Sequence, residues 1–144
     1  MPADLWSFAL ARYARPCVEN ACLTLQAEGA DVCLLLCGAW LGARGVACTA
    51  ARVEQLKALA TPWQTEVVAP LRWLRQRWKA DAAGDASLAE LRDQAKALEL
   101  QAEHELLRRL ESVSAVWPQD AGETTQEWLR ALAGFDHPAL QFLM

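Results

Sequence analysis

Histidine is scarce in this 144-residue chain: His104 and His137 are the only two. A Ser-His-Asp or Cys-His arrangement needs an imidazole oriented by a third group. The sequence offers only His137 beside Asp136, a pairing that reads as a turn ahead of Pro138 and not as a catalytic pair. Phosphate-binding glycine loops are missing too, because Gly38, Gly42 and Gly45 fit neither GxGxxG nor GxxxxGK[ST], and no strand pattern precedes them. CxxC pairs are also absent. The five cysteines, Cys17, Cys22, Cys33, Cys37 and Cys48, are odd in number and confined to the first third, which argues against a disulfide framework. Cys33 and Cys37 share a helix face and with a third thiol would suit a soft metal. Cysteine is equally a small apolar core residue, and that is the role expected of them; no metal and no cofactor is expected.

A membrane-length apolar run is lacking. The longest, Val32 to Ala43, stops at Arg44, short of the roughly 20 residues a spanning helix needs. Basic charge is not in excess either: a formal charge of -4 gives no broad attraction to phosphate backbones or anionic lipid, so neither nucleic acid nor a membrane is an expected partner. The chain begins Met1-Pro2-Ala3-Asp4, with an acid where a secretory signal carries basic residues, so a mature cytoplasmic start is expected.

What remains is a chain 53% hydrophobic, rich in alanine and leucine and without sustained period-2 alternation, which predicts an all-α fold with one core. Asp4 is placed to cap a first helix carrying Leu5, Trp6, Phe8, Ala9 and Tyr13, and Pro16 suits the first turn of a second, with Val18, Ala21, Cys22 and Leu25 inward. Gly29 stops that helix. Asp31 caps the third, Val32 to Arg44, which is apolar all round and so belongs at the centre of a bundle. Gly38 and Gly42 would let a neighbour approach it closely, and Gly45 ends it.

Thr49 is placed to cap a short fourth helix, and Thr61-Pro62 reads as the start of a fifth running to about Lys79. On that helix Trp63, Val67, Pro70, Leu71, Leu74 and Trp78 share one sector, Arg72, Arg75, Gln76 and Lys79 lie opposite, and Pro70 predicts a kink. Ala80 to Ala86 reads as a loop. Ser87 then caps a long sixth helix with Leu88, Leu91, Ala95, Leu98, Ala102, Leu106 and Val113 near heptad spacing, folded back on the fifth. After a Trp117-Pro118 loop, Thr124 caps a short helix with Trp128, Leu129 and Leu132 inward. The expected architecture is a single compact bundle of about six or seven helices over residues 1–144. Residues 1–60 hold the N-terminal helices with the buried helix 32–44, residues 62–113 form a long helical hairpin, and residues 114–144 form a short helix and tail.

The segment LWSFALARYARPCVENACLTLQAEGADVCLLLCGAWLGARG, Leu5 to Gly45, and more weakly VVAPLRWLRQRWK, Val67 to Lys79, resemble a family of small proteobacterial proteins whose domain has no known function. The resemblance implies a small, helical bacterial protein and transfers no catalytic residue. Cys17, Cys33 and Cys37 stand where the family pattern carries glycine, asparagine and phenylalanine types, which marks these thiols as local substitutions.

Chemistry beyond this is thin. His104 lies in Glu103-His104-Glu105, but the Glu-x-x-His of a di-iron helix fails because position 101 is Gln. Glu99 with Glu103 and Asp81 with Asp85 are expected on exposed helix positions or in a loop. The cluster Arg72, Arg75, Arg77 and Lys79, interleaved with Trp73 and Trp78, has the composition of a protein contact, with Trp73 and Arg77 spaced for a cation-π pair. Leu100 and Leu107, seven apart and opposite the main stripe, require a second neighbour, in the same chain or another. These residues predict a non-enzymatic protein-interaction or regulatory module, or a homodimer seam, through Trp73, Arg72, Arg75, Arg77, Leu100 and Leu107. Two alternatives stay open: an apolar small-molecule or lipid pocket walled by the seven tryptophans, and a thiol-based redox or metal sensor.

Overall fold

Leu34, Leu35, Leu36, Ala39, Trp40 and Leu41 are all close to completely buried, covered by helices from both ends of the chain. The computed structural model describes residues 4–144; the start at Met1 to Ala3 lies outside the described residues. Its elements are α1 (Leu5–Tyr13), α2 (Val18–Ala27), α3 (Val32–Ala43), α4 (Ala50–Trp63), a π-helical turn (Gln64–Val68), α5 (Ala69–Arg77), α6 (Lys79–Ala82), α7 (Ala86–Ser114), α8 (Thr125–Ala133) and a 3-10 segment (Pro138–Leu143). The described residues contain no strand, and the fold is all-α.

The caps arise from local chemistry. Asp4 accepts from the Ser7 N–H and Asp31 from that of Leu34, and Gly29 and Gly45 take the positive φ that ends α2 and α3. Pro16 is not in the first turn of α2. It precedes Cys17, which forms the N-cap at φ 71. That left-handed angle is one glycine adopts freely and a side chain resists.

α8 lies across α3 at the two glycines. A Cβ on Gly42 would sit 2.5 Å from the Thr125 backbone nitrogen and would also meet the Thr125 Cα. One on Gly38 would sit 2.7 Å from the end of the Leu132 side chain. Carbonyls in the turn just past α3 are answered from around the start of α8: Ala121 N–H donates to Gly45, and both the Thr124 hydroxyl and the Trp128 indole donate to Val46. Thr124 is therefore not a side-chain cap for α8; Glu123 accepts from the Thr125 N–H instead.

The middle of the chain differs from expectation. Thr61-Pro62 does not start a helix, because α4 runs through to Trp63 and passes into the π turn, where Ala69 N–H donates to Gln64 O. Pro70 lacks the N–H that an α-helical carbonyl at Glu66 requires, and the turn widens just ahead of it. One extra residue in that turn rotates α5 by about 100° about its axis, so Arg72 and Arg75 turn toward α7 instead of water. The loop expected over Ala80 to Ala86 is narrowed to residues 83–85 by α6 on one side and α7 on the other, and Asp85, not Ser87, caps α7 by accepting from Leu88. On α7 the heptad stripe drifts off its partner, leaving Leu91 and Leu98 each 51% exposed, because a straight helix of this length precesses about 20° per heptad. Ala95, Ala102 and Leu106 of the stripe are buried as expected, Leu107 and Leu110 join Leu106 in the core, and Leu140 and Leu143 dock the tail.

Two substitutions test this packing by urea denaturation. Gly42→Ala meets backbone and should cost about 3 kcal/mol or more, whereas Gly38→Ala meets a side-chain tip and should cost about 1 kcal/mol. Equal effects would contradict the close approach at Thr125. Cys17→Gly should raise stability by about 0.5–1 kcal/mol through relief of the left-handed side chain, and a loss of stability would contradict it.

Candidate functional site

The residues singled out from sequence separate into two places. Arg72 and Arg75 are not free for a partner. Arg72 Nε lies 3.0 Å from Glu99 Oε2 and Arg75 Nε 2.5 Å from Glu99 Oε1, with Arg72 also 3.6 Å from Glu103. Glu99, expected on an exposed position, is buried at 6% exposure beneath them, and Glu103 is half-buried. Burial works against the Glu99 carboxylate, but the hydrogen bonds and charges of Arg75 and Arg72 outweigh it and hold its pKa below the ordinary value. Glu103 goes the other way, raised by burial and by the Glu99 charge. Trp73 is 59% exposed and Arg77 is exposed, but no cation-π pair joins them among the described residues. The arginine stacked on a tryptophan of this hairpin is Arg109, 4.0 Å from the Trp63 ring.

Leu100 and Leu107 come together on the second place, an apolar groove of about 330 Å³ that runs between α1 and α7 over the edge of α3. Leu107 is buried at its base beside Leu36, and the second neighbour it required is α1 of the same chain. Leu100 stands on the rim at 57% exposure, facing Leu10 at 53% and Tyr13 at 38%. Leu10 was not singled out from sequence. Its signal was an apolar residue on the first helix outside that helix's inward set, legible only once α7 was known to lie alongside.

Cys22 and Cys33 also line the groove. Burial pushes the Cys22 thiol up to about 11 and Cys33 well above the usual range, and Cys37 behind them up to about 12, each the reverse of an activated thiol. Among the described residues no group of three or more His, Cys, Asp or Glu is placed to hold a metal ion. His104 stacks on Trp6 with centroids 3.9 Å apart, and His137 Nδ1 accepts from Ala139 N–H as a cap, while Asp136 faces Arg130 at 3.5 Å. Among the described residues no helix is long and apolar enough to cross a membrane.

A family model described as "Protein of unknown function (DUF2390)" matches residues 4–110, from the cap of α1 to the last core leucine of α7. No curated protein and no solved structure matches the chain.

Asp31 immediately precedes Val32, a residue of the groove lining. One of its oxygens caps Leu34 while the other, Oδ2, is buried without a partner, and burial raises the carboxyl to about 6. Between about pH 4 and 6 the folded chain then binds more protons than the unfolded one, so stability falls as pH rises through that window. Asp31→Asn keeps a capping oxygen and removes the charge. Relative to wild type, it should gain on the order of 2 kcal/mol between pH 4 and pH 7. Parallel pH profiles for the two proteins would contradict the assignment.

Proposed function

The chain belongs to the family described as "Protein of unknown function (DUF2390)", and we propose that it is a non-enzymatic bacterial interaction or regulatory module, acting in the cytoplasm, whose contact surface is the α1–α7 groove. One observation carries the reading. Leu10, Tyr13 and Leu100 stand exposed along two facing helices over a floor of buried Leu36 and Leu107. Single exposed apolar residues need no explanation, but a facing row along a groove has the form of a binding site.

The occupant that fits is an amphipathic helix of a protein partner, laying apolar side chains at helical spacing between the two walls. Glu103 on the groove wall adds a charge preference. Its pairing with Arg72 is long at 3.6 Å, and burial beside Glu99 raises its pKa. A lysine or arginine brought by the partner would stabilise its charged form. Five free thiols suit a reducing compartment, and the raised values of the buried ones favour packing over redox sensing. A volume of about 330 Å³ sits at the small end for an organic ligand.

A photo-crosslinking residue at Leu100 should capture a partner through one of its helices in cells, and Leu10→Asp should reduce that capture about tenfold or more while circular dichroism stays unchanged. A crosslinker at Trp73, outside the groove, serves as control. Capture that survives Leu10→Asp, or is equal at Trp73, would overturn the reading. A doubled solution mass would identify a second copy as the occupant instead, and a retained small molecule in native mass spectra would replace the partner helix with a ligand.

A further inference from the structure

A second cleft, of about 560 Å³, opens between α1 and the end of α3. Its lining includes Arg12, Arg15 and Arg44 with Ser7 and Trp40, so the polar side chains around it are rich in hydrogen-bond donors. The chain has 18 acidic residues, yet none lines this cleft, and among the described residues none of the three arginines pairs with an Asp or Glu side chain. Glu123, whose charge acts on Arg12, already accepts from the Thr125 N–H at 2.6 Å and from its hydroxyl. Arg12 spends one nitrogen on the Leu143 carbonyl and on the terminal Met144 oxygen, and Arg15 lies 3.5 Å from the latter. Burial, and then the Arg15 charge, lowers the Arg12 pKa, against a smaller opposing pull from the Glu123 charge.

Two donors here are buried with no acceptor. Trp40 is 1% exposed and its Nε1 is unpartnered; Arg44 lies over the same indole, 4.3 Å from its centroid, with its Nε buried and unpartnered. The contrast within the chain is direct. Trp63 Nε1 donates to Ala102 O at 2.9 Å and Trp128 Nε1 to Val46 O at 2.8 Å. Buried donors in native folds find acceptors, and two adjacent exceptions beneath a cluster of arginines share one remedy, a ligand that brings oxygens.

We propose that this cleft binds the phosphate or carboxylate group of a small soluble molecule, held between Arg15 and Arg44, with the Trp40 indole N–H donating to it once Arg44 turns off the ring to meet the anion. The guanidinium forks match both oxyanions, and Phe8, with Arg12 4.5 Å over its ring, supplies an apolar wall for the body of the ligand. This site is independent of the α1–α7 groove.

The test is calorimetric titration of the full chain with inorganic pyrophosphate, with citrate and, separately, with vesicles of anionic phospholipid. Saturable binding of a soluble anion is expected, weakened about tenfold or more by Arg44→Gln and by Arg15→Gln, the loss of one charge-assisted hydrogen bond each. Arg15 is exposed and Arg44 only half-buried, so both variants should keep wild-type circular dichroism. One indole N–H resonance should move on titration and be missing in Trp40→Phe, while Leu100→Asp should leave anion binding intact. No saturable binding of either soluble anion, equal binding by the Arg15→Gln/Arg44→Gln double variant, or binding to vesicles alone would overturn the proposal.

Discussion

A helix with no polar face cannot rest against water on any side, and α3 is such a helix: Cys33 through Gly42 are buried without a break. The enclosure is tightest where Gly42 meets the Thr125 backbone, since no other residue type lets two helix backbones approach that closely. α1 and α2 cover one part of α3, α7 another, and α8 the glycine stripe. α8 lies beyond residues 4–110, so the segment matched by the family model does not carry its own cover for that stripe. In this chain the C-terminal third completes the core begun by the first.

Polar groups trapped by the same enclosure show how the fold handles charge. Glu99 tolerates burial because two arginines reach it from α5, a geometry created by the π turn ahead of Pro70. Taking both partners out of water offsets much of their attraction, so this cluster is better understood as fixing how α5 docks on α7 than as a source of net stability. Asp31 Oδ2, Trp40 Nε1 and Arg44 Nε are the buried polar atoms left without partners among the described residues, and two of the three border the arginine cleft.

The parts of this arrangement legible in the sequence were those set by local rules. Asp4, Asp31 and Thr49 cap helices because a short polar side chain precedes an apolar run, and the central position of α3 follows from composition alone. Pairing Gly38 and Gly42 foretold a close neighbour, though not that α8 would be the one. Illegible were features decided by register over distance. The π turn changes which face of α5 meets α7, so Arg72, Arg75 and Glu99 looked solvated and are instead paired and largely hidden from water. Leu100 and Leu107 announced an unmet neighbour, but the groove also needs Leu10 and Tyr13, brought there by contacts about ninety residues apart that no short-range pattern encodes. The arginine cleft was illegible for the same reason: Arg12, Arg15 and Arg44 are unremarkable until α1 crosses the end of α3.

Native-state amide hydrogen exchange measures the enclosure of α3 most directly. Amides from Leu35 to Leu41 should exchange only through global unfolding, with a free energy equal to that from denaturant titration, and the amides of α8 from Trp128 to Leu132 should share it as one cooperative unit. Exchange of α3 at a distinctly lower free energy, or release of α8 while α3 stays fully protected, would contradict the account.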